Sequence, residues 1–161
     1  MKKRLELGQY VVADPKRGHG KLIFKGTQIK VEPVLRMVAR GMHWDEIIRR
    51  CDGLITREAI MEAVRLTCPV PIPKSKTPMK KRIELGQYIV ADPEICHGKL
   101  TFKGTRIMVH QVLHMVAEGM DWDEIVREWR GSVTKEAIAE AIILANDALV
   151  EKIERKRKRA A

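Results

Sequence analysis

The stretch Phe102-Lys103-Gly104-Thr105-Arg106-Ile107-Met108-Val109 decides how this chain is read. It has a near-copy upstream, Phe24-Lys25-Gly26-Thr27-Gln28-Ile29-Lys30-Val31. In each copy an apolar, strand-like run enters a Gly-Thr turn, and a helical pattern follows it. Glycine suits the unusual dihedrals of such a turn. The threonine hydroxyl can bond back to nearby backbone there. The stretch is either a plain strand-to-helix corner or a place where Arg106, with Lys25 and Lys103, meets a phosphate or carboxylate.

Working outward, nearly everything else is also present twice. A shift of 78 positions (79 − 1) lays Met79 on Met1, Gly86-Gln87-Tyr88 on Gly8-Gln9-Tyr10 and Ala91-Asp92-Pro93 on Ala13-Asp14-Pro15. It also lays Trp122-Asp123-Glu124-Ile125 on Trp44-Asp45-Glu46-Ile47, and about two aligned residues in three are identical. Two copies are too few for a solenoid and suit a pseudo-two-fold pair, a linked imitation of a homodimer. A copy of fewer than eighty residues buries too little surface to be more than marginal alone. The expectation is therefore that the copies pack on each other through their hairpins and first helices.

Each copy reads as two strands and three short helices. Leu7 to Ala13 is rich in β-formers, Asp14-Pro15 closes it, and Lys21 to Lys25 reads as a return strand. After Val31 the spacing turns helical, with Pro33 in the first turn and Gly41 just past the end. A second helix begins near Trp44, with Trp44, Ile47, Ile48 and Cys51 inward. Asp121 and Glu124 form a candidate capping box in its counterpart. Thr56 and Thr134 read as N-caps of the third helix. The fold class is thus mainly α with a small β-hairpin per repeat, two tandem three-helix units of helix-turn-helix shape. The domains are 1–68, a Pro-rich linker 69–78 spanning at most about 30–40 Å, a second repeat 79–150 and a basic end 151–161.

The composition favours a polyanion or an acidic protein as partner: the formal net charge is +10 and the pI about 9.7. Cys51, Cys68 and Cys96 have no C-x-x-C spacing and do not repeat, which argues for free thiols in a reducing cytoplasm. No run is long and apolar enough to span a bilayer, so no membrane role is expected. His110 and His114 stand four apart, but no H-E-x-x-H is present. His19 and His97 recur beside glycine without a nucleophile or paired carboxylate close in sequence. No catalytic residue, metal or cofactor is expected.

These residues together resemble the family catalogued as domain of unknown function 433. The resemblance rests on the strand ending at Asp-Pro, Gly-Lys with an apolar pair, Gly104-Thr105-Arg106-Ile107, the Gly-ended helix, the short acidic helix and the Ala-rich last helix. It covers residues 10–67 and 88–145. Gln28 replaces the arginine in the first copy, His19 and His97 stand where the family has glycine, Leu22 and Leu100 where it has proline, and a proline before the third helix is missing. What the resemblance implies is a homeodomain-like core and the role of antitoxin to a PIN-type nuclease.

In such a fold the last helix would read DNA. Its outward positions are Arg57, Glu58, Glu62 and Arg65, then Lys135, Glu136, Glu140 and Ile143, a nearly neutral set. Phosphate binding is therefore assigned to Lys2, Lys3, Arg4, Lys80, Lys81, Arg82, Lys103, Arg106, Arg155, Lys156, Arg157, Lys158 and Arg159. The stripe Ile142, Ala145, Leu149 and Ile153 runs past the end of the first copy's helix. It is assigned to a partner protein, with stapling of the second copy onto the first as the alternative. The expected function is an antitoxin that binds DNA, neutralises a nuclease, or both. The alternative is an interaction module without a nucleic-acid role. A second copy of the chain is a further candidate partner.

Overall fold

The computed structural model describes residues 4–68 and 81–159. The linker 69–78, and Lys2, Lys3 and Lys80 among the assigned cations, lie outside them. Each repeat contains a small antiparallel sheet and three helices. In the first these are β1 (Leu5–Glu6), β2 (Val11–Ala13), β3 (Leu22–Phe24), α1 (Val31–Ala39), α2 (Trp44–Arg50) and α3 (Arg57–Leu66). In the second they are β4 (Ile83–Glu84), β5 (Ile89–Ala91), β6 (Leu100–Phe102), α4 (Val109–Ala117), α5 (Trp122–Glu128) and α6 (Lys135–Arg159). The architecture is mainly α, as read from the sequence.

The hairpins are three-stranded sheets rather than two-stranded, because Leu5 and Glu6 add a short strand opposite Ala13 and Val12. The expectation that the hairpins pair across the repeats is corrected: among the described residues the two sheets are separate. In each, the outer side of β3 or β6 is met by the chain leaving the Gly-Thr turn, which folds back as a lone bridge, Ile23 to Lys30 and Thr101 to Met108. The other edge strand, β1 or β4, is only two residues long, and so short an edge offers little for another strand to pair with.

The Gly-Thr stretch itself is a corner. Gly26 and Gly104 sit at φ of 77° and 75°, where a side chain would be strained. The Thr27 hydroxyl donates to the Phe24 carbonyl at 2.9 Å and accepts the Ile29 N–H at 3.1 Å. Thr105 does the same with Phe102 and Ile107. The stretch thus converts a strand to a helix in one turn, aiming Val31 and Val109 into the core.

Helix starts follow the sequence. Thr56 and Thr134 accept the N–H of Ala59 and Ala137, each at 3.2 Å, caps worth about 1 kcal/mol apiece. Asp121 caps α5 alone, accepting the Asp123 N–H at 2.9 Å, rather than sharing a capping box with Glu124.

The two most extensive helix contacts run between the repeats. α1 lies on α6 and α3 on α4, each more extensively than α1 on α3 or α4 on α6. The first helices are therefore engaged, but with the opposite repeat's third helix. Ile60, Ile138 and Leu113 are fully buried, each worth about 1.5–3 kcal/mol over exposure. The connection is reinforced at Trp44 and Trp122. A Cβ placed on Gly119 would lie 3.5 Å from the Trp44 ring, and one on Gly41 would lie 3.5 Å from the Trp122 ring.

At 25 residues α6 is roughly 37 Å long, at 1.5 Å per residue. Ile142, Ala145, Leu149 and Ile153 are 1, 0, 5 and 4 % exposed. The stripe is thus covered by the chain itself, above all by α1, which corrects its assignment to a partner. A partner docking along it would have to displace the first repeat.

Candidate nucleic-acid interface

Two of the supposed outward residues of the third helices point inward. The Glu62 carboxylate accepts the backbone N–H groups of Gln9, Tyr10 and Val11 at 3.0, 2.8 and 3.0 Å. Glu140 accepts those of Gln87 and Tyr88, both at 2.7 Å. The recurrence of Gly8 as Gly86 is thereby explained: a Cβ at either would run into the carboxylate. These glutamates fasten the turn before β2 and β5 onto the third helix and are not available to a ligand.

The first residues of α3 and α6 are already neutralised. Arg57 donates to Asp45 at 2.7 Å, and the Lys135 ammonium stands 2.7 Å from Asp123. The Arg57 hydrogen bond holds the Asp45 carboxyl below its ordinary range, and the Asp123 hydrogen bond holds Lys135 above its own. Both helix starts border one cleft of about 290 Å³ between the repeats, together with Arg40, His43, Trp44, Asp121 and Trp122.

The remaining assigned cations divide. Arg4 pairs with Glu6 at 3.3 Å, and Arg82 and Lys103 share Glu84 at 3.4 and 3.0 Å. The Lys103 hydrogen bond, then its charge, lowers the Glu84 pKa. Arg155 pairs with Glu151 one turn back. Lys81, Arg106, Lys156, Lys158 and Arg159 are exposed. The Arg106 carbonyl accepts from the Cys96 thiol at 3.5 Å.

Arg157 does something the sequence did not announce. It is half-buried, and its Nη1 donates to the Gly20 carbonyl at 3.0 Å, across 137 residues. Gly20 sits at φ 80°, and its missing side chain leaves the room the guanidinium occupies. The loop it belongs to is built on Asp14. The Asp14 carboxylate accepts the Lys16 N–H at 2.8 Å, and its carbonyl accepts those of Gly18 and Gly20 at 3.0 and 3.1 Å. The α6 end is thereby joined to Lys16, Arg17 and Lys21, all exposed. Lys21 and Arg157 line one pocket there, and Lys16 and Arg17 stand on the same loop as Gly20.

Lys16 and Arg17 were missed because they belong to no run. The available signal was a break in the repeat: the second copy has Glu94 and Ile95 there. It also has Cys96 for Gly18, and its loop differs. A Cβ at Gly18 would come within 2.8 Å of the Ile23 side chain, whereas Cys96 and His97 adopt φ of 49° and 56°.

The histidines stand elsewhere. His19 and His97 are exposed at positive φ. His110 and His114 meet edge to face, 6.3 Å between ring centres. Burial, then the charges of His114 and Lys99, lowers the His110 pKa. Burial likewise raises the thiols of Cys51 and Cys68.

The fold and this surface define a class: a duplicated small helical unit, its copies interlocked, with cations gathered where the last helix meets the first copy. The chain belongs to the family described as protein of unknown function (DUF433), whose model matches residues 11–65 and again residues 89–145. No curated protein and no solved structure matches the chain. Among the described residues no helix is long and apolar enough to cross a membrane.

Proposed function

We propose that this protein is an antitoxin-type regulator whose repeats form a pseudo-two-fold pair of helix-turn-helix units. It binds nucleic-acid phosphates, and the acidic face of a PIN-type nuclease, through the cationic surface at the end of α6. The observation that carries the reading is the Arg157 bond to Gly20. It turns a run that would otherwise be a solvated tail into a surface with a fixed neighbour. Arginine and lysine suit both targets, since each pairs with phosphate and with carboxylate. The pseudo-two-fold arrangement is supported by the reciprocal packing of α1 on α6 and α3 on α4, and by the reciprocal Trp–Gly contacts.

Phosphate contact is favoured over base readout by paired recognition helices. Glu62 and Glu140 are occupied, and Arg57 and Lys135 are neutralised. The starts of α3 and α6 also share one cleft, whereas paired recognition helices sit about 34 Å apart on DNA.

Fluorescence anisotropy with a labelled duplex at low salt tests the reading. Glutamine at Lys16, Arg17, Lys156, Lys158 and Arg159 should cost about tenfold or more in affinity. Glutamine at Arg82 and Lys103, already paired with Glu84, should cost far less. A duplex that is not bound even at low salt would leave only the interaction module without a nucleic-acid role.

A further inference from the structure

Where the end of α6 meets the start of α1, a small pocket opens between the repeats. Its volume is about 90 Å³. That is room for a few waters or one tetrahedral oxyanion, and far below the roughly 300–1,000 Å³ of an ordinary small-molecule site. Lys21, Lys30 and Arg157 line it, and none of the three forms an ion pair among the described residues. Of the two carboxylates beside them, Glu32 accepts the Arg36 guanidinium at 2.8 Å and Glu154 is exposed. With Glu32 offset, three cations stand against one exposed carboxylate.

Asn146 lines the same pocket and is 3 % exposed. Its side-chain amide makes no hydrogen bond to a described residue. A buried amide without a partner is costly, and leucine would fill a helix position of this kind more stably. The pocket is where a partner for the amide can stand.

The start of α1 opens there too, through Lys30, Val31 and Glu32. Lys30 is the N-cap, and a lysine has no acceptor to give the first-turn N–H groups. The second repeat closes the same place, where Gln111 accepts the Met108 N–H at 3.0 Å. The first repeat has Pro33 at that position (111 − 78) and Lys30 in place of Met108. The dipole of the nine-residue α1 therefore adds to the three cations in favouring an anion.

We propose that this pocket binds one phosphoryl group, held by the Asn146 amide, the α1 N-terminus and the side chains of Lys21, Lys30 and Arg157. A phosphate monoester offers three acceptor oxygens and nearly two charges to such a set of donors. An internal phosphodiester offers fewer of each and carries a sugar on both sides, which so small a pocket does not admit. The ligand is thus a phosphate that is either free or at the end of a nucleic-acid strand. The strand-end source rests on the phosphate-binding surface proposed above; the pocket itself does not.

Inorganic phosphate titrated into the full-length protein, with ionic strength held constant by chloride, tests the pocket by NMR. The Asn146 side-chain amide and the Lys30 and Glu32 N–H signals should shift together and saturate. Asn146→Leu should weaken this binding about tenfold. In phosphate-free buffer it should unfold at a midpoint no lower than wild type, because it removes an unpartnered amide. Lys30→Gln should weaken binding by about two- to fivefold, and Glu154→Gln should tighten it by a similar factor. A duplex with a 5′-phosphate, compared with the same duplex ending in a 5′-hydroxyl, separates the sources. Preference for the phosphorylated end by about fivefold or more, lost in Asn146→Leu, assigns the strand end. Equal binding of both duplexes beside saturable inorganic phosphate assigns a free small phosphate, and the pocket stands in either case.

Shifts that do not saturate, or binding unchanged in both Asn146→Leu and Lys30→Gln, would overturn the proposal. Should Asn146→Leu fail to fold, the exposed changes Lys30→Gln and Glu154→Gln still decide. If neither duplex binds while inorganic phosphate still does, the nucleic-acid reading fails and the pocket remains.

Discussion

Replacing Glu62 by alanine removes one carboxylate and leaves the N–H groups of Gln9, Tyr10 and Val11 without their acceptor. A hydrogen bond to a charged acceptor contributes about 1.5–3 kcal/mol when well shielded. This site is only part-buried, so water can replace some of the loss. Alanine also returns a few tenths of a kcal/mol in helix propensity. The expected net cost is roughly 2–4 kcal/mol, or about 5–15 °C in Tm for a chain of this size. Glu140 accepts two such bonds instead of three, so Glu140→Ala should cost about two thirds as much. Urea unfolding gives the energies, and amide exchange at Gln9, Tyr10 and Val11 locates them. If Glu62→Ala unfolds within about 0.5 kcal/mol of wild type, the range of an ordinary surface substitution, and those amides exchange no faster, the glutamate is not a fastening.

Leu149→Asp with Ile153→Asp puts two carboxylates into positions 5 and 4 % exposed. Circular dichroism should show global loss of structure, and a folded variant with unchanged Tm would mean that α6 does not hold the repeats together. Arg57→Ala should raise the Asp45 titration midpoint toward its ordinary value, followed by NMR; an unchanged midpoint would remove the Arg57 hydrogen bond as the cause. Because the folded Asp45 and Glu84 pKa values are depressed, the stability they add is present above the unfolded carboxylate range. It is lost as pH falls through the folded values. Lys135 has the opposite sign: its pKa is raised, so its contribution is present below the ordinary lysine range and lost as pH rises through the folded value. All three are fully exposed, so the acid and alkaline losses should be small and should shrink further in salt.

The repeat, the three helices of each copy and the threonine caps were legible because they rest on local signals: period, spacing and cap chemistry. The inward turn of Glu62 was not, since helical periodicity puts it on the polar face and its acceptor role depends on backbone more than fifty residues away. Strand β1 is two residues long and has no periodicity to read. The stripe on α6 was read correctly as apolar and buried, but periodicity cannot say what buries it; α1 of the other repeat does. For the candidate site, the basic end was visible as a run. Lys16 and Arg17 became part of it only through the contact of Arg157 with Gly20.

The most direct test of the central claim is the slope of log K against log salt for duplex DNA binding by the full-length protein. Each phosphate contact contributes about −0.9 to that slope. A surface that engages four to six phosphates should give a slope of about −4 to −5. Glutamine at Lys16, Arg17, Lys158 and Arg159 should flatten it by about 2–3 units, while the same change at Arg82 and Lys103 should leave it within about one unit. A slope near zero for the wild type, or an equal flattening by both sets, would contradict the cationic surface at the end of α6 as the nucleic-acid interface.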